Sequence, residues 1–506
     1  MRESGILMHI TSLPGPYGIG SLGKHAYDFI DFLEQSGQHC WQILPLTPTG
    51  YGNSPYQSSS SFAGNPYLID LDLLIAQGLL EQSEVNELIW EQEESRVNFG
   101  LMYENRNRIL RKAHLRFRET ADFSAFCQEN QVWLEDYSLY CALKERYCGW
   151  PWYVWEDALK FRDPHALAVA KQELSDEIHF TCFVQYLFAT QWSDLRNYAR
   201  AKQVRILGDI PIYVPYDSAD VWSNPHLFQL DETLTPTAVA GCPPDAFSED
   251  GQLWGNPLYR WDNMKQDGYA WWLRRLGACA GRYDMVRLDH FRGFEAYWSV
   301  PYADTTARNG CWQPGPGQDF FDTLSRELPD LHLIAEDLGF LTEAVLNLRT
   351  TSGLPGMKVL QFAFDSPEPS EYLPHNCIPH SVCYTGTHDN MTTRQWLETA
   401  NADTFRYAST YMRLREEEGL VWGVISSAFA TASDLCIIPM QDFLNLGAEA
   451  RMNFPGTQSD SNWTWRAKKE DFSWELSEKI KKLTGVYDRL GSYAADHTKS
   501  ERRPFL

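Results

Sequence analysis

The stretch DMVRLDHFRGF, residues 284–294, sets Arg287, Asp289, His290 and Arg292 into a short apolar run built on Met285, Val286 and Leu288. Charge in such a run has to be paired or put to chemical use, because an unpaired charge is costly to bury. Other apolar runs end in the same way. VRILGDI (204–210) ends at Gly208-Asp209, LHLIAEDL (331–338) at Glu336-Asp337, SVCYTGTHD (381–389) at His388-Asp389 and LCIIPMQD (435–442) at Gln441-Asp442. A single Asp at a strand end also suits a helix cap or a structural ion pair. Five runs that deliver carboxylates to one rim are much harder to explain by capping, since gathered like charges cost free energy unless a proton or a cation compensates them.

Two compensations fit. One is a divalent metal held by oxygen ligands from several strand ends. The other is acid/base chemistry in which neighbours keep one carboxyl protonated. Arg287 favours the second. It lies two residues from Asp289, so both side chains leave the strand on one face. There it would keep Asp289 ionised, as a nucleophile requires, and repel a metal. Glu336 follows the apolar run Leu333-Ile334-Ala335. A desolvated Glu beside an ionised Asp has a raised pKa, which suits a general acid. This pairing is the logic of a retaining glycosidase, in which one carboxylate attacks the anomeric carbon while the other protonates the leaving oxygen. Asp389 is then a third acid, beside His388, able to hold sugar hydroxyls. On a regular strand, His290 points away from the face of Asp289, and Arg292 serves as a structural ion-pair partner.

Eight apolar runs of strand length must position these groups: 5–10, 40–46, 204–210, 285–291, 331–338, 357–364, 381–389 and 435–442. Apolar residues run together in them rather than alternate, which predicts strands buried on both faces. Helical spacing falls between several. KHAYDFIDFLEQSG sets Ala26, Phe29, Ile30 and Leu33 on one face, and YAWWLRRLGACAG, FFDTLSREL, LTEAVLNLRTTSG and LVWGVISSAFATAS precede later strands. The pattern predicts an α/β fold, a parallel (β/α)₈ TIM barrel. A doubly wound sheet is the alternative, but its glycine-rich phosphate turn is missing. The chain divides into a catalytic barrel over 1–72 and 164–506 and a mostly helical insertion over 73–163, with no separate C-terminal β-domain expected. Residues 215–268, rich in Pro, Gly and Trp, read as an ordered, ligand-facing loop.

Composition narrows the partners. A net charge of −23 repels phosphate backbones and argues against nucleic acid and anionic membrane surfaces. No stretch approaches the ~20 consecutive apolar residues of a membrane span. The opening MRESGILMHITSLPGPYG holds an apolar run too short for a signal peptide. The 11 cysteines, an odd number with no Cys-x-x-Cys pair, fit reduced thiols and a cytoplasmic location rather than a disulfide framework or a zinc site. Aromatic content of 14% serves core packing or stacking on flat ligand faces.

The segments GDIPIYV (208–214), VRLDHFRGF (286–294), IAEDLG (334–339) and TGTHDN (385–390) resemble, in order and spacing, the four signature regions of the α-amylase superfamily. Together with HITSLPGPYGIGSLG (9–23), WQILPLTPTGYGNSPYQS (41–58), FAGNPYLIDL (62–71), PPDAFSEDGQLWGNPLY (243–259), GLPGMKVLQFAF (353–364) and NFPGTQSDSNWTWR (453–466), the chain resembles more closely the 4-α-glucanotransferases of glycoside hydrolase family 77, the amylomaltases or disproportionating enzymes. The resemblance implies Asp289 as nucleophile, Glu336 as acid/base and Asp389 as transition-state stabiliser. It implies a hydrogen-bonding ring of Asp209, Arg287 and His388, with Tyr56 stacked under the sugar. Asp245, Phe247, Gln252, Trp254 and Asn256 fall in the loop that, in this family, arches over the site; Asn462 resembles a donor to the acceptor, and Tyr51 part of a second glucan groove. Two departures stand out. Ala246-Phe247 replaces the Tyr-Phe that often follows Pro-Pro-Asp, and Phe99-Gly100 stands where relatives often carry Tyr before Gly.

No cofactor and no metal is expected, since carboxylates do all the chemistry. The expected partners are α-1,4-glucans and maltooligosaccharides, with glucose as acceptor. Transfer rather than hydrolysis requires that a sugar hydroxyl reach the covalent intermediate before water does. A partly closed aromatic loop carrying Trp222, Phe247, Trp254, Tyr259 and Trp261 would favour it. A hydrolase of the same superfamily and a non-catalytic glucan-binding protein are the alternatives, and the presence of all three acids with Arg287 argues against the latter.

Overall fold

Apolar runs that do not alternate bury both faces of a strand, and the computed structural model forms a strand within each of the eight. The structure describes residues 2–244, 249–339, 341–365, 370–457 and 459–491. In chain order the strands are β1 (Glu3–Leu7), β2 (Cys40–Gln42), β3 (Arg205–Ile210), β4 (Ala238–Cys242), β5 (Gln252–Pro257), β6 (Met285–Leu288), β7 (Ala296–Pro301), β8 (Cys311–Pro314), β9 (Leu333–Ala335), β10 (Gly356–Val359), β11 (Ser381–Tyr384) and β12 (Leu435–Pro439). Eight of them pair in parallel in the order β10-β11-β12-β1-β2-β3-β6-β9. The two ends of that order meet where the Ala335 N–H donates to the Pro355 carbonyl at 2.9 Å. The sheet therefore closes into a barrel with its functional rim at the strand C-termini.

The strands are shorter than the apolar runs that announce them. The run at 40–46 continues as buried Ile43, Leu44 and Leu46 after β2 has ended. These residues leave the ladder but stay in the core. The helix Lys24–Gln35 buries Ala26, Phe29, Ile30 and Leu33, and Ala270–Arg282, Gly317–Glu327, Glu343–Thr351 and Leu420–Ala430 follow the expected helical stretches. Between β2 and β3 the chain is helical. Phe99–Arg116, Ala121–Glu129 and Gln131–Arg146 all pack on the 27-residue helix Ser175–Ala201, which in turn packs on β3. That helix ties the helical insertion to the barrel wall.

Residues 215–268 are not one irregular loop. They contribute β4 and β5 to an antiparallel sheet of order β5-β4-β7-β8. The sequence hides this sheet because β4 and β5 are short, interrupted by Gly241 and Gly255, and do not alternate. Their partners β7 and β8 lie beyond the fourth barrel strand. Three of the rings assigned to a closing loop are core instead. Trp222 donates to the Leu159 carbonyl at 3.0 Å, and the Tyr259 hydroxyl donates to the Ile212 carbonyl at 2.7 Å. Trp261 stacks on Trp272 with ring centroids 6.3 Å apart. All three are buried. Among the described residues no helix is long and apolar enough to cross a membrane.

Candidate active site

The parallel register sets the chemistry. Asp209 on β3 lies level with Arg287 on β6, and Arg287 lies level with Ile334 on β9. Arg287 thus enters the barrel mouth between two carboxylates. One of its terminal nitrogens reaches both oxygens of Asp209, at 2.9 and 2.7 Å. The other sits 2.9 Å from Asp289 Oδ1. Asp209 is fully buried and also accepts from the Tyr56 hydroxyl at 2.9 Å. Burial pushes its carboxyl up to about 7, with the Arg287 charge pulling the other way. Asp289 keeps part of its carboxylate open to the mouth. Arg287 therefore compensates it on one side and leaves an oxygen free to attack.

Regular strand geometry stops at Leu288. His290 adopts a left-handed conformation, φ 52° and ψ 50°, and this turn aims its peptide N–H at Glu336 Oε2, 2.7 Å away. The N–H of Leu338 donates to the other oxygen at 3.0 Å. Burial, opposed by Arg287 and helped by the charge of Asp289, pushes the Glu336 carboxyl up to about 7. The His290 ring meets Trp254 edge-on at 4.8 Å, and burial lowers its pKa to about 4, so it is neutral at pH 7. Arg292 lies over the ring of Trp312, 4.1 Å from its centroid.

Asp389 is the most open of the three acids and is held by neutral groups. Asn453 Nδ2 donates to its Oδ1 at 2.6 Å, and His388 Nε2 stands 3.4 Å from its Oδ2. Burial lowers the pKa of His388. The His388 ring stacks on Tyr56, with centroids 5.2 Å apart and 15° between planes, and Trp463 packs against both rings. Tyr56 is therefore fixed by Asp209 through its hydroxyl and by His388 through its face. Buried His9 adjoins His388 in the same cavity. Its Nδ1 accepts from the Leu44 N–H at 3.2 Å, and burial lowers its pKa to about 3.

The remaining candidates separate. Trp254 is half-buried, and its indole N–H donates to Gln252 Oε1 at 3.1 Å; Asn256 is buried. Asn462 is buried with its amide turned inward, accepting from the Phe454 N–H and donating to the Thr457 carbonyl, each at 3.2 Å. It shapes the loop between those residues. Asp245 and Phe247 lie outside the described residues. Tyr51 opens the short 3₁₀ turn Tyr51–Asn53, and its side chain too lies outside the description. Two of the rim carboxylates serve structure. Asp442 is buried and accepts from Thr385 Oγ1 and from the Thr393 hydroxyl and N–H, at 2.6 to 2.7 Å. Asp337 pairs with Arg349 and accepts from the Met357 N–H. Among the described residues no group of three or more His, Cys, Asp or Glu side chains could hold a metal ion.

Sequence reasoning missed the peptide N–H groups of His290 and Leu338, and it missed Arg451 and Asn453. The main-chain groups leave no signal in residue identity. Asn453 had one, as the first residue of the quoted NFPG segment.

Comparison with known proteins decides the family. The family model described as 4-alpha-glucanotransferase matches residues 8–471. The chain belongs to that family. Among curated members, the 4-alpha-glucanotransferase of Clostridium butyricum is 48% identical over 95% of this chain and 100% of its own. That of Thermus thermophilus is 45% identical over 97% and 99%. An amylomaltase from Streptococcus agalactiae, solved in complex with acarbose, superposes with a TM-score of 0.94 at 42% identity, covering 97% of this chain and 100% of its own. The fold is that of the family's TIM barrel.

Proposed function

We propose that this 4-α-glucanotransferase moves maltooligosaccharyl units of α-1,4-glucans onto the 4-hydroxyl of glucose or of another glucan by retaining double displacement. The observation that carries the reading is the contrast between two acids at one mouth. Asp289 is gripped by Arg287, while Glu336, beside it, is pushed up to about 7. Environments that differ in this way assign the roles. An oxygen of Asp289 forms a bond to the anomeric carbon as the glycosidic C–O bond breaks. The Glu336 proton goes to the departing 4-oxygen. In the second half the acceptor 4-hydroxyl returns a proton to Glu336, and its oxygen displaces Asp289. Asp389 holds sugar hydroxyls as positive charge develops on the ring, and Tyr56 carries the ring from below. Trp254 and Gln252, at the rim, support an acceptor side where sugar competes with water. The eleven cysteines, all free thiols, support a reducing, cytoplasmic setting.

Incubation with maltotriose followed by chromatography tests this reading. Free glucose together with longer oligomers is expected. Shortening alone, with a rise in reducing ends, would indicate a hydrolase. Asp289→Asn should lower turnover at least about 10³-fold while maltooligosaccharide binding persists; near-full turnover would remove Asp289 from the nucleophile's role.

A further inference from the structure

The three acids are treated differently by their surroundings. Asp289 receives a guanidinium, Glu336 receives two peptide N–H groups, and Asp389 receives an uncharged amide from Asn453. A cation does stand beside Asp389, in Arg451. Its hydrogen bonds go to main-chain oxygens, and its charge acts on Asp389 through space. Arg451 donates to the backbone carbonyls of Asp389 (3.0 Å) and of Asn453 (2.9 Å), and its guanidinium lies over the Phe454 ring, 4.0 Å from the centroid. It thereby clamps the main chain of both residues and sets the amide against the carboxylate. The other end of this loop is anchored as well. Asn462 ties its interior, and the Trp463 N–H donates to the Met452 carbonyl at 2.7 Å.

We infer that Asn453, held by Arg451, is a positioning residue for the reaction. It fixes the Asp389 carboxylate through one oxygen without neutralising it. The inference rests on the transition-state role proposed above for Asp389. A carboxylate accepts at about four lone-pair positions. Asn453 occupies one, and the rest stay available to sugar hydroxyls. A neutral donor adds no positive charge of its own beside the carboxylate that faces an oxocarbenium-like sugar, as a guanidinium contact would. Arg287 provides the contrast, because a nucleophile must be ionised but need not stabilise a distant charge.

The test uses the full-length enzyme and maltotriose. Asn453→Ala should lower kcat by about 10- to 100-fold, the scale of a misplaced catalytic group, with KM and thermal midpoint little changed. Asn453→Asp is nearly isosteric, so it keeps the fold. It replaces the donor by a like charge and should move the acidic limb of the kcat–pH profile to higher pH, because one of two adjacent carboxylates then binds a proton more readily. Loss of packing alone would not move that limb. If both variants keep kcat within about threefold and an unshifted profile, the inference is overturned. Asp389→Asn separates the two layers. Should it retain activity, the role of Asp389 itself fails. Should it abolish activity while both Asn453 variants behave as wild type, only the positioning role of Asn453 fails.

Discussion

At the residue scale, the proposed acid/base role of Glu336 sets the expected pH dependence. The first half-reaction needs its proton, and the carboxyl loses it as pH rises through about 7. The glycosylation rate should therefore fall about tenfold per pH unit above that point. Glu336→Gln should lose turnover and lose the alkaline limb with it, measured with maltotriose across pH 5 to 9. The linkage sign follows the same shift. The folded carboxyl lies above its ordinary value of 4.5, so its favourable contribution is complete below 4.5 and is lost as pH rises through about 7. Relative to wild type, Glu336→Gln should accordingly melt higher at pH 8 than at pH 5. The convergence of Asp289, Arg287 and Glu336 was legible in the sequence, because Asp289 lies two residues from Arg287 and Glu336 follows an apolar run. The direction of His290 was argued for a regular strand, and a left-handed turn after Leu288 removes that premise.

At the scale of elements, the site depends on close packing behind β3. Gly208 precedes Asp209, and a Cβ at that position would come within 2.4 Å of the buried Tyr283 ring. Gly208→Ala should destabilise the fold by about 1–3 kcal/mol, read from denaturant midpoints, because an overpacked barrel wall has nowhere to shift. It should also lower kcat by moving Asp209 and, through it, Arg287. The eight barrel strands could be read because burial on both faces removes polar residues from them. The sheet of β4, β5, β7 and β8 could not. Its strands are short, two contain glycine, and β4 pairs with β7 across a stretch of chain that includes a barrel strand. The partnership of Asn453 with Asp389 spans 64 residues; spacing rules work within one element and give no access to it.

For the whole molecule, the segment around Arg489 is tied to the first barrel strand and to the chain before β12. Arg489, fully buried, donates to the carbonyls of Glu3, Phe429, Thr431 and Ser433 at 2.8 to 3.0 Å. A bridge between Glu3 and Leu490 lies alongside. Arg489→Met would take a donor from four carbonyls, of which Phe429 and Thr431 keep Arg2, and should cost about 2–5 kcal/mol. It would lower the melting temperature, while kcat well below that temperature stays near wild type, since the residue stands apart from the catalytic rim. If the melting temperature is unchanged, Arg489 is not a staple.

The two peptide N–H groups that hold Glu336 have a consequence for how this site withstands mutation. Every residue except proline supplies such a donor, so most changes of side chain at positions 290 and 338 leave the hold on the acid, provided position 290 keeps its left-handed turn. Asp389 has no such protection. Its amide partner is a side chain that a single-base change can convert to aspartate. Within one site, then, the proposed proton donor is secured by the main chain and the proposed charge stabiliser by residue identity, and substitutions near Asp389 should cost activity more often than those near Glu336.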